Sequence, residues 1–370
     1  MERVGLSRPW TTPLPRWMMT VATLPYALFD DPAVMAAEES RIFGRSWSAV
    51  AFAADLAEPG QTFTARIGRV PVVLARGADG VLRGFVNVCR HRGHPVAEGG
   101  GARRLFLCRY HGWSYGLDGC LLRAPEAEQA KGFDRGALGL ARVSVAEWRG
   151  IVFAHPDPQA VPLVNANPAL EVFGADAGFD LGAHKPFRSA SFDIPANWKL
   201  VLDNTVECYH CPSIHPATLN RLYETGGFGG AVWSGAVRHS RAEMAGGRGR
   251  HDCIVLFPGS YLAADSVLGI LGRIEPEGAG RTRLTFRFAA TPGADPALAA
   301  EFAAIWCETL AEDVAILTEQ ARGIASGAVA AGVLVPGPEN CLIHLRNLVQ
   351  HMLGDGASPL AAHSPEPTCN

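Results

Sequence analysis

Short apolar runs separated by Gly and Asp clusters dominate the chain from Trp47 to about His155. Val70-Pro71-Val72-Val73-Leu74 and Gly84-Phe85-Val86-Asn87-Val88 read as strands. Ala78-Asp79-Gly80 and Leu117-Asp118-Gly119 read as the turns of hairpins. The run 149–154 reads as the last strand of this unit. Ahead of it, Asp31-Pro32 caps a predicted helix that runs to about Phe43. Strand-like runs resume at 187–194, 232–238, 253–257, 261–264, 268–275 and 281–290. The period then changes from two to 3.6. A helix is predicted over 296–322, with the apolar stripe Phe302, Trp306, Leu310, Val314, Leu317 and Ala321, and a shorter one over 339–353. Strands followed by a packing helix predict an α+β fold.

The domain organisation follows from these patterns. Residues 1–24 are expected to be a disordered lead-in and 25–160 a β domain with an N-terminal helix. Residues 161–184, rich in Pro, Ala, Gly and Asp, are expected to be a linker with a short helix. A second domain is predicted over 185–355 and a disordered tail over 356–370.

Composition narrows the function classes. The 370 residues are 48% hydrophobic and 19% charged, ordinary for a globular protein, and the net charge of −3 argues against a nucleic-acid surface. No apolar run is long enough to span a membrane, and no secretory h-region is visible, so a cytoplasmic location is expected. Nine cysteines at scattered spacings fit a reducing compartment better than a disulfide framework.

Two of those cysteines belong to a pattern. Cys89-Arg90-His91 and Cys108-Arg109-Tyr110-His111 give C-x-H, sixteen residues, then C-x-x-H. Two thiolates and two imidazoles on tight turns suit a Rieske [2Fe–2S] centre, with Cys89 and Cys108 on one iron and His91 and His111 on the other. A structural zinc site uses the same ligand types, but zinc fingers pair like with like, whereas each turn here mixes a Cys with a His. A colourless zinc-binding module without redox activity is the remote alternative.

A second constellation lies in Glu207-Cys208-Tyr209-His210-Cys211-Pro212-Ser213-Ile214-His215-Pro216. His210 and His215 would stand about 140° apart on a regular helix. Pro212 should kink or end that helix, so that both imidazoles can turn to one point. Glu207 and His210, three apart, would share a face. Two histidines need a carboxylate to complete the facial triad of non-haem Fe(II) oxygenases. Asp313 falls within the broad buried face of the long helix, where an ionised carboxylate is costly unless it is coordinated or paired. Glu312 points about 100° away, nearer to solvent.

With these residues in hand, the chain resembles the α subunits of Rieske non-haem iron ring-hydroxylating oxygenases over about residues 25–353. The motifs are Cys89-Arg90-His91-Arg92-Gly93, Cys108-Arg109-Tyr110-His111-Gly112-Trp113, Asn197-Trp198-Lys199, Glu207-Cys208-Tyr209-His210, His215-Pro216 and Glu312-Asp313. The resemblance implies a Rieske domain followed by a helix-grip (START-like) catalytic domain. It also implies a [2Fe–2S] cluster, Fe2+, O2 as co-substrate and a homotrimer. Glu207 would bridge the two centres by accepting hydrogen bonds from His210 and from His111 of a neighbouring subunit. The chain shows neither a G-x-G-x-x-G fingerprint nor a plant-type ferredoxin pattern. A separate flavin/iron–sulfur reductase, with or without a ferredoxin, would therefore bring electrons from NAD(P)H.

The segment 208–216 is similar to that of the choline monooxygenase and glycine-betaine demethylase branch. This implies hydroxylation or N-demethylation of a small quaternary ammonium substrate, with aromatic-ring hydroxylation or O-demethylation as the alternative. A cation needs an aromatic cage, for which Tyr223, Phe228, Trp233 and Tyr261 are the candidates.

Overall fold

A computed structural model describes residues 21–224 and 231–354. Among these, two antiparallel sheets of seven strands each organise the molecule. The first sheet runs Ser48–Phe52, Ile151–His155, Arg142–Trp148, Leu82–Val86, Val70–Arg76, Gln61–Ile67 and Gly101–Ala102. Asp79-Gly80 turns its central hairpin, with Gly80 at φ 75°, where glycine is favoured. A small separate sheet of Phe106–Leu107, Ser114–Tyr115 and Leu121–Arg123 packs against it. The strand expected over 149–154 begins two residues later, because Arg149 and Gly150 adopt positive φ and make the turn.

The second sheet runs Lys185–Ile194, Arg281–Ala290, Leu268–Gly278, Ser260–Ala264, Arg250–Leu256, Val237–Glu243 and Val232–Ser234. The single strand expected over 232–238 is a tight hairpin, broken at Gly235 with φ 58°.

Seven α-helices are described. Helix α1 (Pro32–Arg41) is capped by the Asp31 carboxylate as expected. The segment 161–184, expected as a linker, carries α2 (Leu163–Ala166) and α3 (Ala169–Ala177). It is a packed layer: Leu163, Leu170, Phe173 and Phe179 share one buried cluster with Trp47, Trp148 and Phe153 of the first sheet and Ile254, Leu262 and Leu271 of the second. Apolar residues on α2 and α3 cover faces that both sheets would otherwise leave wet. Polar bonds join the sheets directly as well. Arg287 forms a two-pronged pair with Asp55 at 2.5 and 2.7 Å, and Arg273 donates to the carbonyls of Ala49 and Arg66.

On the other face of the second sheet lie α4 (Trp198–Val206), α5 (Cys211–Ile214), α6 (Pro296–Ala325) and α7 (Asn340–Gly354). Asn197 caps α4 through the Lys199 N–H, and Asp295 caps α6. Helix α6 rests on Lys185–Ile194, Leu268–Gly278 and Arg281–Ala290 and brings Asp313 over the end of α4.

The lead-in expected over 1–24 lies outside the described residues up to position 20, as does the tail expected over 356–370. Residues 21–24 differ from that expectation: Val21–Ala22 pairs with Val333–Leu334, and Leu24 is buried in the core. The strand satisfies its backbone on an available edge, and Val21 packs partly against the core.

Candidate metal centres and active site

The two Cys–His loops are built alike. In each, the cysteine carbonyl accepts from the glycine four residues on, Gly93 in one and Gly112 in the other, both at positive φ. In each, the cysteine N–H donates to the carbonyl five residues on, that of His94 or Trp113, at 2.8 Å. Cys89 and Cys108 are buried, and His91 and His111 are exposed with ring centroids 4.6 Å apart. Burial pushes the Cys108 thiol up, and the neighbouring Cys89 thiol adds to the rise. His91 stacks on Trp113 at 4.9 Å, and Tyr115 Oη lies 3.2 Å from Cys89 Sγ while accepting from the Arg90 N–H. Paired inner sulfurs and paired outer imidazoles are the donor set of a [2Fe–2S] cluster with mixed ligation, so these four residues fit that group.

The second site forms where α4 ends. The helix stops at Val206, earlier than expected from Pro212, and Glu207 is extended; Pro212 instead opens the short α5. Glu207 therefore meets His210 across a turn, not along a helix face, and accepts from the His210 Nδ1–H. His215 Nδ1 is bound in the same way by Glu312 Oε2 at 2.8 Å, which also accepts from Thr218 Oγ1 at 2.6 Å. Glu312, expected nearer to solvent, is thus the partner of a buried imidazole.

With both Nδ1 atoms taken, both Nε2 atoms turn to Asp313: His215 Nε2 is 3.0 Å and His210 Nε2 3.5 Å from Oδ1. One ligand atom from each of His210, His215 and Asp313 lies within 4.8 Å of the others. Two imidazoles and one carboxylate, oriented by outer carboxylates, fit a mononuclear iron. Burial opposes charge on His210, but Asp313 and Glu207 outweigh it and push the imidazole up to about 9. Burial likewise opposes charge on Asp313, but the two imidazoles hold its carboxyl below the usual range.

Asn204 is a further member that sequence reasoning did not single out. Its Nδ2 is 3.1 Å from Asp313 Oδ1 and 3.3 Å from His210 Nε2. Its place on the turn of α4 before the ligand loop was the available signal.

A second correction concerns sulfur. Although the scattered cysteine spacing pointed away from a disulfide framework, Cys208 and Cys211 form a disulfide, since the turn into α5 sets their Cα atoms 5.0 Å apart. Of the other described cysteines outside the cluster pattern, Cys253 and Cys341 are buried, Cys307 is half-buried and Cys120 is exposed.

The triad opens into a cavity with about 650 Å³ of empty space, partly open to solvent. Three aromatic rings form one corner of it: Tyr261 lies 5.3 Å from Phe286 and 6.2 Å from Trp306, and Phe286 stacks on Trp306 at 6.1 Å. Of the three cage candidates among the described residues, only Tyr261 lines this cavity. Tyr223 stands behind it, accepting from the Trp306 indole N–H and donating to Asp265. Trp233 stacks on His344 instead, and Phe228 lies outside the described residues. Phe286 and Trp306 were legible only as core positions of a strand and a helix.

Comparison with known proteins agrees with this architecture. Residues 46–139 match the Rieske [2Fe-2S] domain, and residues 181–355 match the ring hydroxylating alpha subunit (catalytic domain). The chain belongs to the Rieske oxygenase α subunits, a family whose metal groups are the cluster and the mononuclear iron for which both donor sets are present here.

Among curated relatives, the carnitine monooxygenase oxygenase subunit of Escherichia coli (strain K12) is 36% identical over 195 residues, 52% of each chain. The glycine betaine monooxygenase oxygenase subunit of Chromohalobacter salexigens is 36% identical over 208 residues, 55% of this chain and 45% of the relative. The chloroplastic choline monooxygenase of Beta vulgaris is 35% identical over 200 residues, 52% of this chain and 44% of the relative. The chain thus spans about half the length of the curated relatives it matches. Among solved structures, the quaternary ammonium Rieske monooxygenase CntA in complex with L-carnitine has a TM-score of 0.80 at 24% identity, covering 90% of this chain and 96% of that one. Naphthalene 1,2-dioxygenase from Rhodococcus sp. has a TM-score of 0.76 at 21% identity, covering 90% and 95%. These two likenesses concern the fold.

Proposed function

We propose that this chain is the terminal oxygenase of a multicomponent system that oxidises a small quaternary ammonium compound at an N-methyl or adjacent carbon. The observation that carries the reading is the convergence of His210, His215 and Asp313 beside the aromatic corner of Tyr261, Phe286 and Trp306. When bound, the cluster supplies single electrons and the iron supplies dioxygen activation. Cys89, His91, Cys108 and His111 would hold the cluster; His210, His215 and Asp313 would hold the iron.

The remaining steps belong to the protein. Glu207 and Glu312 accept hydrogen bonds from the Nδ1–H groups, fix each imidazole tautomer and leave Nε2 free for the metal. Asn204 steadies the Asp313 carboxylate. The aromatic faces hold an alkylammonium cation by their quadrupoles and keep water from its methyl groups. His111 and Glu207 lie at or near the surface, which supports a path in which the His111 edge of one subunit meets the Glu207 edge of the next in a homotrimer. A separate reductase drawing on NAD(P)H fills the electron supply.

The test uses purified chain loaded with iron and cluster, driven by peroxide or by a reductase. Formaldehyde or amine release from trimethylammonium compounds is expected, and small arenes should be poor substrates. Ring hydroxylation without any turnover of trimethylammonium compounds would replace this reading with the aromatic one.

A further inference from the structure

A buried arginine lines the same cavity as the triad. Arg238 lies on Val237–Glu243, and its side chain shares the inner face of the sheet with Ser240, Cys253, Val255 and Tyr261. It is only 5% exposed. Its Nη1 donates to Ser240 Oγ at 2.7 Å, and its Nε–H is buried without an acceptor. Among the described residues no carboxylate pairs with it. Ser240 is a neutral partner and can answer only one of the five N–H donors of a guanidinium.

Burying a cation in this way is costly unless an anion completes it. Elsewhere in this molecule the rule is kept: Arg287 is matched by Asp55, and buried Lys199 by Glu38 at 2.6 Å. Arg238 departs from it in the wall of the cavity that holds the triad. A planar guanidinium suits a carboxylate, which accepts two parallel N–H bonds.

We infer that Arg238 is the anchor for a substrate carboxylate, so that the cavity takes zwitterionic trimethylammonium acids and discriminates against choline. The inference rests on the proposed function and sharpens it. The ammonium end lies against Tyr261, Phe286 and Trp306, and the carboxylate end lies against Arg238 and Ser240. A substrate with a cationic head and no anion leaves the guanidinium unanswered and adds a second positive charge to the same enclosed space. Such a molecule is repelled where a zwitterion is held.

The test is calorimetric binding to iron- and cluster-loaded protein, with γ-butyrobetaine, its methyl ester, choline and benzoate as probes. γ-Butyrobetaine should bind roughly 10- to 100-fold more tightly than its ester or choline, the range expected for hydrogen bonds to a charged group. In Arg238→Met that advantage should vanish while ester affinity holds, which also shows that the cavity is intact. Arg238→Lys should restore part of it. Equal binding of acid and ester by the unmodified protein, or an advantage unchanged in Arg238→Met, would overturn the inference and leave the quaternary ammonium reading standing. Arg238-dependent binding of benzoate, with no binding of any trimethylammonium compound, would uphold the carboxylate anchor and remove that reading instead.

Discussion

At the scale of single residues, each candidate ligand atom is set by a neighbour. His210 and His215 can each present Nε2 only because Glu207 and Glu312 occupy Nδ1. Among the described residues, Asp313 is the one carboxylate that reaches both Nε2 atoms. Asp313→Ala should therefore lose the mononuclear iron and all substrate oxidation, while the visible absorbance of the cluster persists. Metal analysis beside the absorption spectrum reads both. Retained activity would return the third-ligand role to another acid. The histidines and Asp313 were legible from residue type and from the cost of a carboxylate on a buried stripe. Asn204 and the second role of Glu312 were not, because each depends on a partner that helix periodicity cannot place.

At the scale of elements, α4 is the support on which the ligand loop hangs. Its first turn is fixed from below: Lys199 Nζ contacts Glu38 Oε1 at 2.6 Å, and Trp198 donates its indole N–H to Glu38 Oε2 at 2.7 Å. Both ends of the ion pair are buried. Burial lowers the Lys199 ammonium, and Glu38 works against that shift. Removing one member strands the other charge in the core, at a cost of about 3–5 kcal/mol. Lys199→Met should lower stability by that amount in urea unfolding, and Lys199→Met with Glu38→Gln should recover much of it. A loss below about 1 kcal/mol for the single variant would mean that water reaches the pair. The sequence marked Asn197-Trp198-Lys199 as a motif; it could not say that Glu38 of α1 is what the motif binds.

At the scale of the whole molecule, the exposed His91 and His111 and the solvent-edge Glu207 belong to one proposed circuit between subunits. Two inactive variants should then complement each other. Cys89→Ser lacks the cluster and Asp313→Ala lacks the iron. Oligomers reassembled from a mixture of the two should regain a fraction of the activity, since some interfaces pair an intact cluster with an intact iron site. Activity no higher than the sum of the separate variants would sink the inter-subunit path.

The chain by itself determined what is local. Each Cys–His loop closes within six residues through its own glycine and backbone bonds, so its chemistry is written in consecutive letters. Strand alternation and the α6 stripe fixed the α+β class for the same reason. The tertiary structure decided what depends on distant segments meeting. Packing turned the expected linker into a joint between sheets, gathered Tyr261, Phe286 and Trp306 into one corner, and set Arg238 in the wall of the cavity that holds the triad. A side chain on a strand declares only which face it takes; what it faces is set by the helix or sheet laid across it, and no periodicity within the strand carries that information.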